Sequence, residues 1–143
     1  MKGVSQLVSH SSLLIISMIG MGLIVGSVSD YLFDTEKTLT RLELNNIANK
    51  VKANFIKVYS LANTTSKYVT GTFEISVAER VGGKRVLLDA NSDNFTLSAT
   101  FNNEKIEIVR SLNIDANVSG IAYLPASLVL EKINGNITIR LVE

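Results

Sequence analysis

The stretch VSQLVSHSSLLIISMIGMGLIVGSVS, residues 4–29, contains no Asp, Glu, Lys or Arg over 26 positions. About 20 apolar residues in a helix are enough to cross the hydrocarbon core of a bilayer, so this stretch is long enough to do so. Lys2 precedes it, and Asp30, Asp34 and Glu36 follow it. Because positive charge is retained on the cytoplasmic side, these flanks predict a cytoplasmic N-terminus and an exported C-terminal part.

Three fates of this stretch compete at the level of sequence. It is a membrane anchor, a secretory signal that is removed, or the first half of a helix that begins in the membrane and continues beyond it. A secretory signal would be cut after Ser27, where the small residues Val25 and Ser27 fit a cleavage site. That alternative leaves a secreted β domain without its apolar helix.

The residues that follow favour a continuing helix. Apolar residues at Leu44, Ile47, Val51, Phe55 and Val58 are separated by steps of 3, 4, 4 and 3, which is helical periodicity. No proline or glycine occurs between Gly26 and Gly71, so nothing obliges a break. The sequence predicts one helix over about residues 5–62, apolar all round in 4–29 and amphipathic in 30–62.

Small residues interrupt the apolar part of this helix. Gly22 and Gly26 form a GxxxG pattern, and Gly20 lies just before it. Small residues let helix backbones approach closely where no hydrophobic force separates lipid from protein. We therefore expect Gly20, Gly22 and Gly26 to pack against other helices.

Residues 68–143 predict a β-rich head, because the apolar period changes to two after Thr72. The alternating runs are 73–77, 95–101, 106–108, 114–118, 128–130 and 137–141. Turn residues separate them, and Asn134-Gly135 is the strongest hairpin signal. Together these features predict an α+β fold: a long N-terminal helix, then a small antiparallel β-sandwich or rolled sheet of six to seven strands.

The opening Lys2-Gly3, followed directly by an uncharged helix, resembles the class III signal peptides of archaeal type IV pilins and archaellum components. In that family a prepilin peptidase cuts after the glycine, on the cytoplasmic side of the apolar stretch. The resemblance implies a leader of residues 1–3 and cleavage between Gly3 and Val4, which leaves the whole helix in the mature protein. Bacterial pilins usually carry a glutamate five residues after the cut, where this chain has Val8. This departure argues against a bacterial type IVa pilin.

Four Asn-x-Ser/Thr sequons begin at Asn63, Asn94, Asn117 and Asn136. All four follow the apolar helix, on the side that the charge rule exports. We expect them to be candidate N-glycosylation sites in surface positions, and an ordinary polar β surface remains the alternative for each.

Composition points away from catalysis and from nucleic acid. The net charge is +1, the basic residues are scattered, cysteine is absent, and the single histidine, His10, lies within the apolar stretch. The exported part therefore has no imidazole to serve as a general base. Asp89, Asn91 and Asp93 have a spacing seen in calcium loops, but a polar turn explains them more simply. We expect no catalytic residues, no metal and no cofactor.

The family resemblance implies a structural subunit of an archaeal cell-surface filament, which polymerises through its N-terminal helix and exposes its head for surface contacts or adhesion. Its partners would be copies of itself or related pilin-like subunits, the prepilin peptidase, the membrane before assembly, and an envelope layer as a further candidate. A second expectation is an anchored component similar to an archaellum stator, whose head binds the envelope. A third, from a different class, is the secreted β-sandwich binding domain left by signal-peptide removal.

Overall fold

The structure, a computed structural model, describes residues 2–65, 68–101 and 103–143, with residues 2–10 described in backbone only. Its first element is one helix, α1, spanning Lys2–Thr64. The chain divides into two compact units, one ending at Thr38 and one spanning Leu39–Glu143. We call the second of these the globular unit.

Local sequence explains the regularity of α1. Between Gly26 and its end at Thr64 the helix contains neither proline nor glycine, so no residue removes a backbone hydrogen bond or lowers helix propensity strongly. Hydroxyl side chains on its surface donate back to the preceding turn, as Ser27 does to the carbonyl oxygen of Leu23 at 2.9 Å. Thr35 makes the same bond to Tyr31 at 2.8 Å.

The part of α1 within the globular unit buries one stripe of side chains. This stripe is fully or almost fully buried and comprises Leu44, Ile47, Ala48, Val51, Phe55, Val58 and Ala62. Its steps of three and four residues match the turn of a helix. The helical periodicity predicted for residues 44–58 is therefore confirmed.

Nine strands follow within the described residues: β1 Tyr68–Ile75, β2 Arg80–Val81, β3 Lys84–Arg85, β4 Leu87–Asn91, β5 Asn94–Phe101, β6 Glu104–Ser111, β7 Asn117–Tyr123, β8 Ala126–Ile133 and β9 Asn136–Val142. Seven of them form one sheet in the order β1-β8-β9-β7-β4-β5-β6, and β2 and β3 form a separate two-stranded hairpin. Every neighbouring pair is antiparallel except β7 and β9, which are parallel. The predicted α+β class, with a long helix followed by an antiparallel β-rich head, is confirmed.

The sheet has one buried face and one exposed face. In β9 the buried residues Ile137, Ile139 and Leu141 alternate with residues that are exposed or half-buried. The same alternation in the other strands directs most of their apolar residues to the face that α1 covers, with Val109, Ile121 and Ile133 among the exposed exceptions. Since the seven strands lie in a single sheet, α1 forms the second layer of the core.

Contacts along α1 show how it crosses this buried face. Thr40 lies close to Gly82 and so near the β2–β3 hairpin. Phe55 stacks on Phe95 of β5, with ring centroids 6.0 Å apart. Ala62 contacts Lys132 of β8. The helix therefore passes from the β5 side of the sheet to the β8 side as it approaches its end.

Two turns follow from glycine and asparagine. Asn134 (φ 53°) and Gly135 (φ 92°) form the two-residue loop between β8 and β9, as the Asn-Gly dipeptide predicts. Gly82 and Gly83, also at positive φ, form the turn between β2 and β3.

Gly120 serves a different purpose within β7. Its φ is 132°, and a Cβ atom at this position would lie 2.7 Å from the carbonyl oxygen of Leu141 in the neighbouring strand. Only glycine allows the backbones of β7 and β9 to approach this closely.

Candidate assembly helix and sequon-bearing end

The apolar side chains of residues 13–28 of α1 are exposed in the part of the chain that the structure describes. Eleven large apolar side chains between residues 13 and 28 are each more than half exposed: Leu13, Leu14, Ile15, Ile16, Met18, Ile19, Met21, Leu23, Ile24, Val25 and Val28. Soluble monomers rarely expose a continuous apolar surface of this extent. By length and composition the helix is able to cross a membrane, and a signal sequence would share these properties.

The three predicted packing glycines lie on this uncovered surface. A Cβ atom added to Gly20, Gly22 or Gly26 would meet no atom of the chain within 4 Å. Gly22 and Gly26 are one helical turn apart on the same face, and Gly20 is about 200° around the helix from Gly22. Among the described residues, therefore, no close contact requires glycine at these three positions.

The predicted processing site lies where the structure gives backbone alone. Residues 3 and 4 are within α1, but the surroundings of Gly3 and the side chains of Val4 and His10 are outside what the structure describes. Cleavage between Gly3 and Val4 stays a prediction.

Three of the four sequons occupy equivalent places in the sheet. Asn94, Asn117 and Asn136 are the first residues of β5, β7 and β9. Since β9 is parallel to β7, and both β7 and β5 are antiparallel to β4, these three strands run in the same direction. Their first residues therefore meet at one end of the sheet, which we call the sequon end.

Strand alternation places these sequons on the exposed face. The middle residues Phe95, Val118 and Ile137 are buried. In each sequon the asparagine and the Ser/Thr are therefore directed to the opposite, helix-distal face. Asn117 and Asn136 are exposed, and Asn94 is half-buried.

Hydrogen bonds hold two of these asparagines to Asn91 and Ser92, at the turn between β4 and β5. Ser92, in the β4–β5 turn, donates its hydroxyl to Oδ1 of Asn117 at 3.3 Å and accepts the backbone N–H of Val118 at 3.3 Å. The Nδ2 group of Asn91 donates to Oδ1 of Asn94 at 3.1 Å. The starts of β5 and β7 are thus held together through one turn.

The same turn explains the acidic residues whose spacing resembled a calcium loop. Oδ1 of Asn91 accepts the backbone N–H groups of Asp93 and Asn94 at 3.1 and 2.9 Å, which is the hydrogen bonding of a polar turn. Asp93 and Asp115 line an open cleft of about 520 Å³ at the sequon end, and Asp89 lies outside that lining. Within the described ranges no three His, Asp or Glu residues are grouped to hold a metal ion.

The fourth sequon lies at the same end, on the helix side of the sheet. Asn63 is exposed in the last turn of α1. The ammonium group of Lys132 donates to the carbonyl oxygens of Ala62 and Thr65 at 2.6 and 3.2 Å. Lys132 lies next to Ile133, which pairs with Asn136, so Asn63 is held close to the start of β9.

Sequence reasoning missed the residues that fix α1 to the sheet. Besides Lys132, Arg110 of β6 donates from Nη2 to Oδ1 of Asn45 at 2.6 Å. No basic residue lies in the last turn of α1, and that absence is the one sequence signal that a cation from elsewhere would be needed there.

Comparisons of the chain with protein-family models, with curated proteins and with solved structures found no match.

Proposed function

We propose that this chain is a pilin-like structural subunit of an archaeal cell-surface filament, which polymerises through residues 4–29 of α1. The observation that carries the proposal is the uncovered apolar surface of residues 13–28 on the same helix that supplies core residues to the globular unit. Such a subunit needs no active site, because its work consists of packing against other chains.

The exposed apolar surface of residues 13–28 is too large to be favourable in contact with water. Burying one Leu, Ile, Met or Val side chain is worth about 1.5–3 kcal/mol, so the eleven exposed side chains amount to on the order of 20 kcal/mol. That exceeds the net stability of a typical domain, about 5–15 kcal/mol. A surface of this size supports the proposal that lipid or other protein chains cover this part of α1 wherever the mature protein retains it.

Lipid and protein would cover it in turn. Before assembly the helix lies in the membrane with a cytoplasmic N-terminus, where all its central backbone groups are satisfied internally. Removal of residues 1–3 by a prepilin peptidase would leave the apolar helix in the mature protein. In the extracellular filament, helices of copies or of related pilin-like subunits would replace lipid, and Gly22 and Gly26 would permit close approach. The head would remain exposed for surface contacts or adhesion.

The glycines give a sharp test. In the double variant G22L/G26L the Cβ atom of each new side chain enters open space, since a Cβ at either glycine meets no described atom within 4 Å beyond the neighbouring helix backbone. Replacing glycine also raises helix propensity, by about 1 kcal/mol per residue. A loss of assembly would therefore report contacts between chains. The matched control is I24L, which conserves apolar volume on a different face of the same turn.

We expect filaments sheared from cells to contain the wild type and I24L, and the yield of G22L/G26L to fall at least tenfold while its head stays folded in the membrane fraction. Normal filaments of G22L/G26L would contradict the proposal. A wild-type protein that never leaves the membrane fraction would instead support the anchored, stator-like alternative. A soluble mature protein that begins at Val28 would support the secreted binding domain.

A further inference from the structure

We propose that the sequon end of the sheet is a glycan-bearing cap, with N-linked glycans on Asn117 and Asn136 and a third sugar chain on Asn63 at the same end. The proposal rests on the export of the head that the proposed function requires. It names a covalent modification surface and, by the same geometry, the part of the head that does not pack closely against other subunits.

The three strand sequons all face away from the core. Each strand sequon has a buried middle residue, so its asparagine and its hydroxyl residue face away from α1. A sequon whose asparagine faced the core would be closed to an enzyme and would leave no room for a sugar. The three strand sequons share the accessible direction, although a shift of one residue in any strand would have reversed it.

The sequons also lie close together at one end of the sheet. Asn117 and Asn136 lie at the starts of adjacent strands, with Asn117 paired to Thr138. Adjacent strands are about 4.8 Å apart, so the start of β5, two strands from β7, lies about 10 Å further along the same edge. Asn63 is tied to this end through the contact of Ala62 with Lys132. All four sequons of the chain therefore fall within one end of the globular unit.

The opposite end offers asparagine without a sequon. Asn103 lies in the turn between β5 and β6, at φ 64°, and is followed by Glu104 and Lys105. The two ends of the sheet thus differ in the hydroxyl residue that completes the acceptor motif. This difference makes the chain suitable for a matched experiment.

Accessibility ranks the acceptors. Asn63, Asn117 and Asn136 are exposed, whereas Asn94 is half-buried and its Oδ1 is bonded to Asn91. We expect modification of the three exposed asparagines and little or none of Asn94.

The reaction is a glycosyl transfer without oxidation or reduction. The donor class is an oligosaccharide joined through its anomeric carbon to a polyprenyl phosphate or diphosphate in the membrane. Nδ2 of the asparagine forms a bond to that carbon, and the carbon–oxygen bond to the lipid phosphate breaks. The amide loses one proton, and the lipid phosphate leaves with the bonding electron pair.

The test is glycopeptide mass spectrometry of the full-length protein, isolated from the surface fraction of an archaeon that N-glycosylates its surface proteins. Sugar masses are expected on peptides containing Asn117 and Asn136. The variants S119A and T138A keep each asparagine but remove its hydroxyl partner, and each is expected to lose the sugar at its own site alone. The matched control is K105T, which supplies the missing hydroxyl and so completes an acceptor motif at Asn103, at the opposite end.

An unmodified Asn117 and Asn136 in surface protein would overturn the proposal, whether or not Asn103 of K105T is modified. Modified Asn103 beside unmodified native sites would show that the head is exported but that the sequon end is closed. Filaments of unmodified subunits would overturn the glycan cap and leave the proposed filament function standing. Glycosylated protein that forms no filaments would overturn the proposed filament function and leave the glycan cap standing.

Discussion

The ammonium group of Lys132 in β8 lies 2.6 Å from the carbonyl oxygen of Ala62, in the last turn of α1. A second bond at 3.2 Å joins the same group to the carbonyl oxygen of Thr65. The last carbonyl groups of a helix have no partner within the helix and carry its partial negative charge. A residue 70 positions away in sequence therefore supplies the cation that α1 lacks.

Replacing Lys132 by methionine removes this charged donor and keeps the aliphatic part of the side chain. We expect K132M to lower the free energy of unfolding by about 1.5–3 kcal/mol, the value of a hydrogen bond to a charged group. Chemical denaturation of the full chain in detergent, followed by near-ultraviolet circular dichroism, measures it. K57M removes a charge from an exposed position on α1 and is expected to change stability by less than about 0.5 kcal/mol. Equal effects of the two variants would rule out the helix-end contact.

Phe55 and Phe95 connect α1 to the sheet through fully buried, stacked rings. We expect F55A to cost about 3–5 kcal/mol, since truncation leaves a cavity in the core. The neighbouring Ile56 is 43% exposed, and I56A is expected to cost about 1 kcal/mol or less. Unfolding midpoints in denaturant give both values. A tolerated F55A would mean that α1 is not part of the core of the globular unit.

Alanine variants at Gly120 and Gly135 distinguish the cost of a steric clash between strands from the cost of backbone strain. Both have positive φ, but only at Gly120 would a Cβ atom meet another strand, 2.7 Å from the carbonyl oxygen of Leu141. We expect G135A to cost about 1–2 kcal/mol from its conformation alone. G120A should cost at least about 2 kcal/mol more, because β7 and β9 must move apart. Thermal unfolding of both variants tests this order, and similar melting temperatures would contradict it.

The mature N-terminus tests the class III resemblance. We expect protein from the native membrane or surface fraction to begin at Val4, with the entire apolar stretch retained. Mass spectrometry of the intact protein measures this directly. A chain that begins at Val28 would lack the helix surface on which the proposed assembly depends.

The helix and the local turns could be predicted from sequence. The helical period of residues 44–58 and the absence of glycine and proline between Gly26 and Gly71 predicted one continuous helix over about residues 5–62, and α1 spans Lys2–Thr64. Asn134-Gly135 predicted a hairpin, and Ile133 pairs with Asn136 across it. Both features depend on residues that are close together in the sequence, and so a local sequence pattern is enough to predict them.

Strand pairing could not be predicted in the same way. β1 pairs with β8, and β9 lies between β8 and β7, contacts that depend on residues far apart in the chain. The run of residues 114–118 was predicted as a strand, whereas β7 begins at Asn117 and continues through Gly120. A glycine inside a strand lowers the propensity signal, and its reason, the approach of Leu141, is visible only in three dimensions.

The sequon end shows the same division. The motifs can be found in the sequence, and their export is a prediction from the charge pattern, but their convergence depends on β5, β7 and β9 running in the same direction. The cation that bonds the carbonyl groups at the end of α1 also could not be predicted from sequence. Lys132 is one of several scattered basic residues, and no local pattern distinguishes it.

The position of β9 has a consequence for the order of events during synthesis. β9 is the last of these strands to leave the ribosome, and among the described strands it is the one that joins the pair β1–β8 to the group β7-β4-β5-β6. Until it arrives, the two halves of the sheet have no common hydrogen-bonding edge, and pairing over long sequence separations is slow. The seven-stranded sheet is therefore incomplete until β9, the last of its strands in the sequence, has been synthesised and has paired with both β8 and β7.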